Sequence, residues 1–138
     1  MDKLLLCLLF MVLAGCSSRV DKPVIQAAIR PPNISSSAAV SEMRQFLSTQ
    51  GYEFTSVATK DRSNVKPAPS MWIYSRGSGP RVEIDNDSLE KCFTLVVFVD
   101  SNVTDTSSAM AIGQAFIDHF QRTPGWTAST NDGCNVGP

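Results

Sequence analysis

The sequence predicts an α+β domain: a small, mainly antiparallel sheet of about four strands with two helices packed on it, and a C-terminal tail clipped by a disulfide. Three observations carry this. Residues 92–99, CFTLVVFV, are the most apolar stretch beyond the first sixteen residues. They are rich in β-branched and aromatic side chains, as a central strand buried on both faces requires. Met71, Trp72, Ile73 and Tyr74 on one side of Gly77-Ser78-Gly79-Pro80, and Arg81, Val82, Glu83 and Ile84 on the other, have the pattern of a β-hairpin with a glycine-rich turn. Two further stretches, residues 37–50 and 107–122, repeat apolar residues at helical spacing.

The chain opens on MDKLLLCLLFMVLAGC. Lys3 leads into an apolar run over residues 4–13, which ends in Leu13, Ala14, Gly15 and Cys16 before the chain turns polar at Ser17 and Ser18. A run of roughly ten residues is too short for the ~20-residue helix that spans a bilayer, so it reads as the apolar region of a signal peptide. Small side chains at Ala14 and Gly15 open the backbone to a peptidase, and the Cys16 thiol is a nucleophile able to accept a lipid. The order Leu-Ala-Gly-Cys resembles the lipobox of the bacterial lipoprotein class. That resemblance implies removal of residues 1–15, a thioether-linked diacylglycerol on Cys16, and a fatty acyl chain such as palmitate on the new amino terminus. Several acyl chains, at ~0.8 kcal/mol per buried CH₂, exceed the two signals needed for stable anchoring. In Gram-negative members of the class, Asp after the cysteine favours inner-membrane retention. Ser17 stands there, so the resemblance implies the periplasmic face of the outer membrane.

Residues 16–36 read as a lipidated amino terminus and flexible tether, since Pro23, Pro31 and Pro32 oppose regular structure among Ser, Asn and Gln. The alternative docks Val24, Ile25, Gln26, Ala27, Ala28 and Ile29 onto a partner or onto the domain itself. Residues 37–138, about 100 residues, form a single periplasmic domain of ordinary size. Ser36 or Ser37 caps a first helix running to about residue 50, with Val40, Met43 and Leu47 in one stripe widened by Phe46, and Gly51 supplies the left-handed stop. Tyr52 and Phe54 alternate with Glu53 and Thr55 until the phase slips at Val57, where a bulge or strand end is expected. Residues 60–70, with Pro67 and Pro69, are a long polar loop.

After the hairpin and the central strand, Asp105, Thr106 or Ser107 caps a second helix ending near residue 122. Its inner face is Ala109, Ile112, Gly113, Phe116, Ile117 and Phe120, with Gly113 allowing close approach to the sheet. Pro124 and Gly125 end the helix, and residues 126–130 add a short strand. Of four cysteines, Cys7 leaves with the signal and Cys16 takes lipid, so Cys92 and Cys134 have only each other in an oxidising compartment. The helix returns the chain to the level of Cys92. The bridge therefore clips the tail to the base of the central strand, closing a loop worth about 4 kcal/mol in chain entropy.

Charge excludes some functions. Twelve Lys and Arg against thirteen Asp and Glu, spread along the chain, leave no footprint for nucleic acid or anionic lipid. The single histidine, His119, follows Asp118, and helix neighbours point about 100° apart, so they form no dyad. Gly77-Ser78-Gly79-Pro80 lacks the Lys-Ser/Thr of a phosphate loop. Residues 85–88 lack the glycine of a calcium loop and have Val96 where its bidentate Glu belongs. No nucleophile has a recognisable base, and the chain is expected to be non-enzymatic, with no cofactor or metal. Two roles fit: an accessory factor binding a protein of an envelope assembly (secretion, pilus or conjugation apparatus, pilotin-like), or a periplasmic recognition module for a small ligand, peptidoglycan or an enzyme to be inhibited. Met71, Trp72 and Tyr74, on a hairpin at a possible sheet edge, are the candidate partner-binding residues. Burial in the core is the competing role for each aromatic.

Overall fold

The computed structural model describes residues 20–59, 70–86, 91–130 and 134. Its elements follow in the order β1 (Asp21–Arg30), α1 (Ser36–Thr49), β2 (Glu53–Thr59), β3 (Ser70–Ser75), β4 (Arg81–Asn86), β5 (Phe93–Asp100), α2 (Ser107–Arg122) and β6 (Thr127–Ser129). The strands form one sheet in the order β2-β3-β4-β5-β1-β6, every neighbouring pair antiparallel. The α+β class and the antiparallel sheet are as expected. The sheet has six strands rather than about four, because β1 and the short β6 join it.

β1 corrects the expected tether. Ten residues of that stretch lie between β5 and β6, with Ile25, Ala27, Ala28 and Ile29 buried. The alternative that docked this segment on the domain itself is the one the fold adopts. Pro23 is tolerated because the register shifts between Pro23 and Ile25, and because β6 pairs only with Ala28, Ile29 and Arg30. A proline without an N–H is compatible with a strand there, at a bulge with a neighbour on one side only. Pro31 and Pro32 follow the strand and end it. Residues 1–19, including Cys16 and the signal, lie outside the described residues, as do the loop at 60–69 and Asp87 and Ser88.

Both helices lie on one face of the sheet. Ser35, one residue before the expected caps, accepts a hydrogen bond from the Ala38 N–H at 3.2 Å and starts α1. Ala39, Met43 and Leu47 of α1 are buried, and Phe46 meets α2 edge-on to Phe116, with ring centroids 5.5 Å apart. α2 buries all six residues of its predicted inner face. Under the helices lie Tyr74, Val82, Ile84, Phe93, Leu95 and Val97. The irregularity in β2 falls between Phe54 and Ser56, not at Val57. It brings Phe54 opposite Tyr74, 5.8 Å between centroids, and lets the Thr55 hydroxyl meet that of Ser75 at 2.9 Å.

Gly113 is where α2 touches β1. A Cβ there would sit 2.3 Å from Cγ2 of Ile25, well inside van der Waals contact. Helix propensity favours Ala over Gly by about 1 kcal/mol, whereas overpacking a core costs ~1–3 kcal/mol. Gly113→Ala is therefore expected to destabilise the domain in denaturant titration, and Ile25→Ala in the same molecule to recover part of the loss. Strictly additive losses in that double-mutant cycle would refute the contact.

Candidate functional site

Alternation along β3 divides the three candidate contact residues. Trp72 and Tyr74 point to the helix side. Tyr74 is fully buried, and Trp72 is half-buried with its ring 6.3 Å from that of Phe93. Tyr74 is thus a core residue rather than a partner contact. β3 is also not an edge, since β2 lies outside it. Only Met71 of the three shares the opposite face.

That opposite face has neither helix on it. Met71 and Ile73 of β3 and Val96 and Phe98 of β5 are half-buried there, with Arg81 and Glu83 of β4 between them. Arg81 donates from Nη1 to the Asp21 carboxylate and from Nη2 to Glu83 Oε1 at 2.8 Å, and its guanidinium lies 5.1 Å from the centroid of the Phe98 ring. This joins the start of β1 to β4 and β5 and pairs Arg81 with two carboxylates. At the far end of the same strands the chain closes on itself: Cys92 and Cys134 form the expected disulfide, Cα atoms 5.9 Å apart, and the Cys134 N–H donates to Thr94 Oγ1 at 3.2 Å. The tail is thereby clipped to the base of β5.

A cleft of 880 Å³ opens beside Arg81, walled by Asp21, Pro80, Phe98, Asp100 and Val103. Its rim carries Asp105, whose carboxyl is held below the usual range by hydrogen bonds from the side chain and backbone of Ser107. His119 is distant from it, exposed on α2 and stacked on Phe46 with centroids 4.6 Å apart. Asp118 accepts from Gln114 Nε2 at 2.8 Å and pairs with Arg122 at 3.7 Å, so it does not orient the imidazole. Among the described residues no three His, Cys, Asp or Glu side chains converge as a metal site needs, and no helix is long and apolar enough to cross a membrane.

Ile73, Arg81, Val96 and Phe98 were not legible as surface residues. An unbroken apolar run reads as doubly buried, and only the placement of the helices shows which alternate residues are left uncovered. Tyr74 has a different consequence. Among the described residues its buried hydroxyl has no hydrogen-bond partner, and burial raises its pKa above the usual 10.0, partly offset by the charge of Arg44. Tyr52 is raised by burial as well. A raised folded-state pKa means that the unfolded chain loses its proton first, so stability is intact below about 10 and falls as pH rises through the folded value. Tyr74→Phe is expected to be neutral or stabilising by up to ~1 kcal/mol near neutral pH, because it removes an unpaired buried hydroxyl. It should also flatten the alkaline decline, as read by denaturation midpoints measured below and above pH ~10. A loss above ~1 kcal/mol at neutral pH would show that the hydroxyl is satisfied.

No family model matches this chain, and no curated protein or solved structure matches it.

Proposed function

We propose that the chain is an outer-membrane-anchored periplasmic lipoprotein that acts by contact, as a non-enzymatic accessory factor of an envelope assembly: a secretion, pilus or conjugation apparatus, or a pilotin-like escort. The lipobox sequence supports the anchor, and the Cys92–Cys134 pair suits an oxidising compartment. The observation that carries the contact role is the sheet face that bears neither helix. Met71, Ile73, Val96 and Phe98 supply its apolar centre, and Arg81 is already paired with Asp21 and Glu83. An apolar centre beside an arginine already held by two carboxylates suits a protein surface rather than a polyanion. The 880 Å³ cleft favours a second reading, a recognition module for a small ligand or peptidoglycan.

Photo-crosslinking from Ile73, with the exposed Gln114 on α2 as the reference position, tests the first reading in intact cells. One adduct with a component of a multiprotein envelope apparatus is expected at Ile73, absent at Gln114 and lost on Val96→Asp. Retention of the domain on purified sacculi, with no protein adduct at Ile73, would replace it with the second. Cys16→Ala is expected to release the domain into the soluble periplasm. Continued membrane fractionation of that variant would overturn the anchor.

A further inference from the structure

The start of β1 sets how far the domain can stand from its anchor. Val20 is already held in the fold, its carbonyl accepting from the Ser101 N–H at 2.9 Å, and β1 begins at Asp21. Four residues after Cys16 span at most ~14 Å even fully extended. A domain of this size is roughly 35 Å across, from a radius of gyration near 13 Å. A leash shorter than the body it holds cannot let that body turn over. One pole must therefore face the membrane.

The topology identifies that pole. It carries the start of β1, the α1–β2 turn at Gly51, the β3–β4 turn at 76–80 and the β5–α2 loop at 101–106. Val20 and Val103 are 63% and 37% exposed, two of the four exposed large hydrophobic residues among those described. They belong to adjoining segments: Ser101 bonds Val20, and Lys22 Nζ donates to the Val103 carbonyl at 3.3 Å. Acids and bases nearly balance here, with Asp21, Glu53, Asp100 and Asp105 against Lys22, Arg76 and Arg81.

We propose that this pole docks on the bilayer that carries Cys16, with Val20 and Val103 entering the headgroup boundary and the sheet standing upright on the membrane. The proposal rests on lipidation of Cys16. Its near-neutral charge fits zwitterionic phospholipid and gives no attraction to anionic lipid. The 880 Å³ cleft, which includes Asp21 and Val103 in its wall, then opens at the membrane surface, and any occupant is met there rather than in the open periplasm.

The test uses the mature lipoprotein in phosphatidylcholine vesicles, after intact mass has shown the acyl chains. A polarity-sensitive fluorophore is placed at Val103→Cys in one sample and at Arg122→Cys in another, and quenched by spin-labelled lipid. α2 separates the two positions in height by about 24 Å, sixteen residues at 1.5 Å each. Quenching several-fold stronger at position 103 than at 122 is expected, unchanged when phosphatidylglycerol is added. A twenty-residue Gly-Ser insertion after Ser18 should reduce the difference by freeing the domain. Equal quenching at both positions in acylated protein would overturn the docked pole and leave the anchor standing. Absence of the acyl mass would overturn the anchor, and the docked pole with it.

Discussion

A chain that begins at Ser37, just past the tether the sequence predicts, will not fold cooperatively. Removing β1 takes Ile25, Ala27 and Ile29 out of the core under α2, and Ala28 from the opposite face of the sheet. Full burial is worth ~1.5–3 kcal/mol for each isoleucine, against a total stability of 5–15 kcal/mol typical of such a domain. The deletion also leaves β5 unpaired along one side and β6 with no neighbour, since β1 is the strand between them. An apolar strand with an open edge is an aggregation site. A chain beginning at Arg19 retains every described element and should melt as the mature protein does. Circular dichroism and thermal melts of the two chains decide the matter: a cooperative transition at the same temperature in the shorter one would show that β1 is dispensable.

Removing the disulfide is the second large effect. Cys92→Ala with Cys134→Ala is expected to lower stability by about 4 kcal/mol, the chain entropy of a loop closed over 42 residues. At 4–8 °C per kcal/mol for a domain near 100 residues, the melting temperature should fall by more than about 10 °C. Adding reductant to the wild-type protein should approach the same value. The Cys134 N–H donates to Thr94 Oγ1 beside the bridge, and if the bridge is what holds the tail there, Thr94→Val should cost less than ~1.5 kcal/mol in oxidised protein and almost nothing in the double alanine variant. An unchanged melt after confirmed reduction would refute the stabilising role of the bridge.

The two helices and β1 show why some elements are legible in the sequence and one is not. Every inner residue of α2, from Ala109 to Phe120, follows from the helical period, because large apolar side chains three and four residues apart can share only one face. β1 has the same kind of pattern in weaker form. Ile25, Ala27 and Ile29 alternate with Gln26, but two of its buried positions are alanines, and Pro23 lies inside the strand. Alanine carries little strand signal, and proline carries a contrary one. What makes this segment a strand is pairing with β5, about seventy residues away in the chain, from Asp21 opposite Asp100 to Ile29 opposite Phe93.

The candidate surface divides in the same way. Alternation alone puts Trp72 and Tyr74 on one side of β3 and Met71 and Ile73 on the other, whatever the fold. It does not say which side the helices will cover. The sequence by itself determined both helices, the whole buried face of α2 and the hairpin, because each depends on neighbours close in the chain. Only the tertiary structure decided that the expected tether contains an inner strand, that Tyr74 is core while Ile73, Val96 and Phe98 lie on the sheet face that bears neither helix, and that Cys16 lies within a few residues of the folded domain. Those facts depend on pairing and packing between segments far apart in sequence, where no local pattern carries the information.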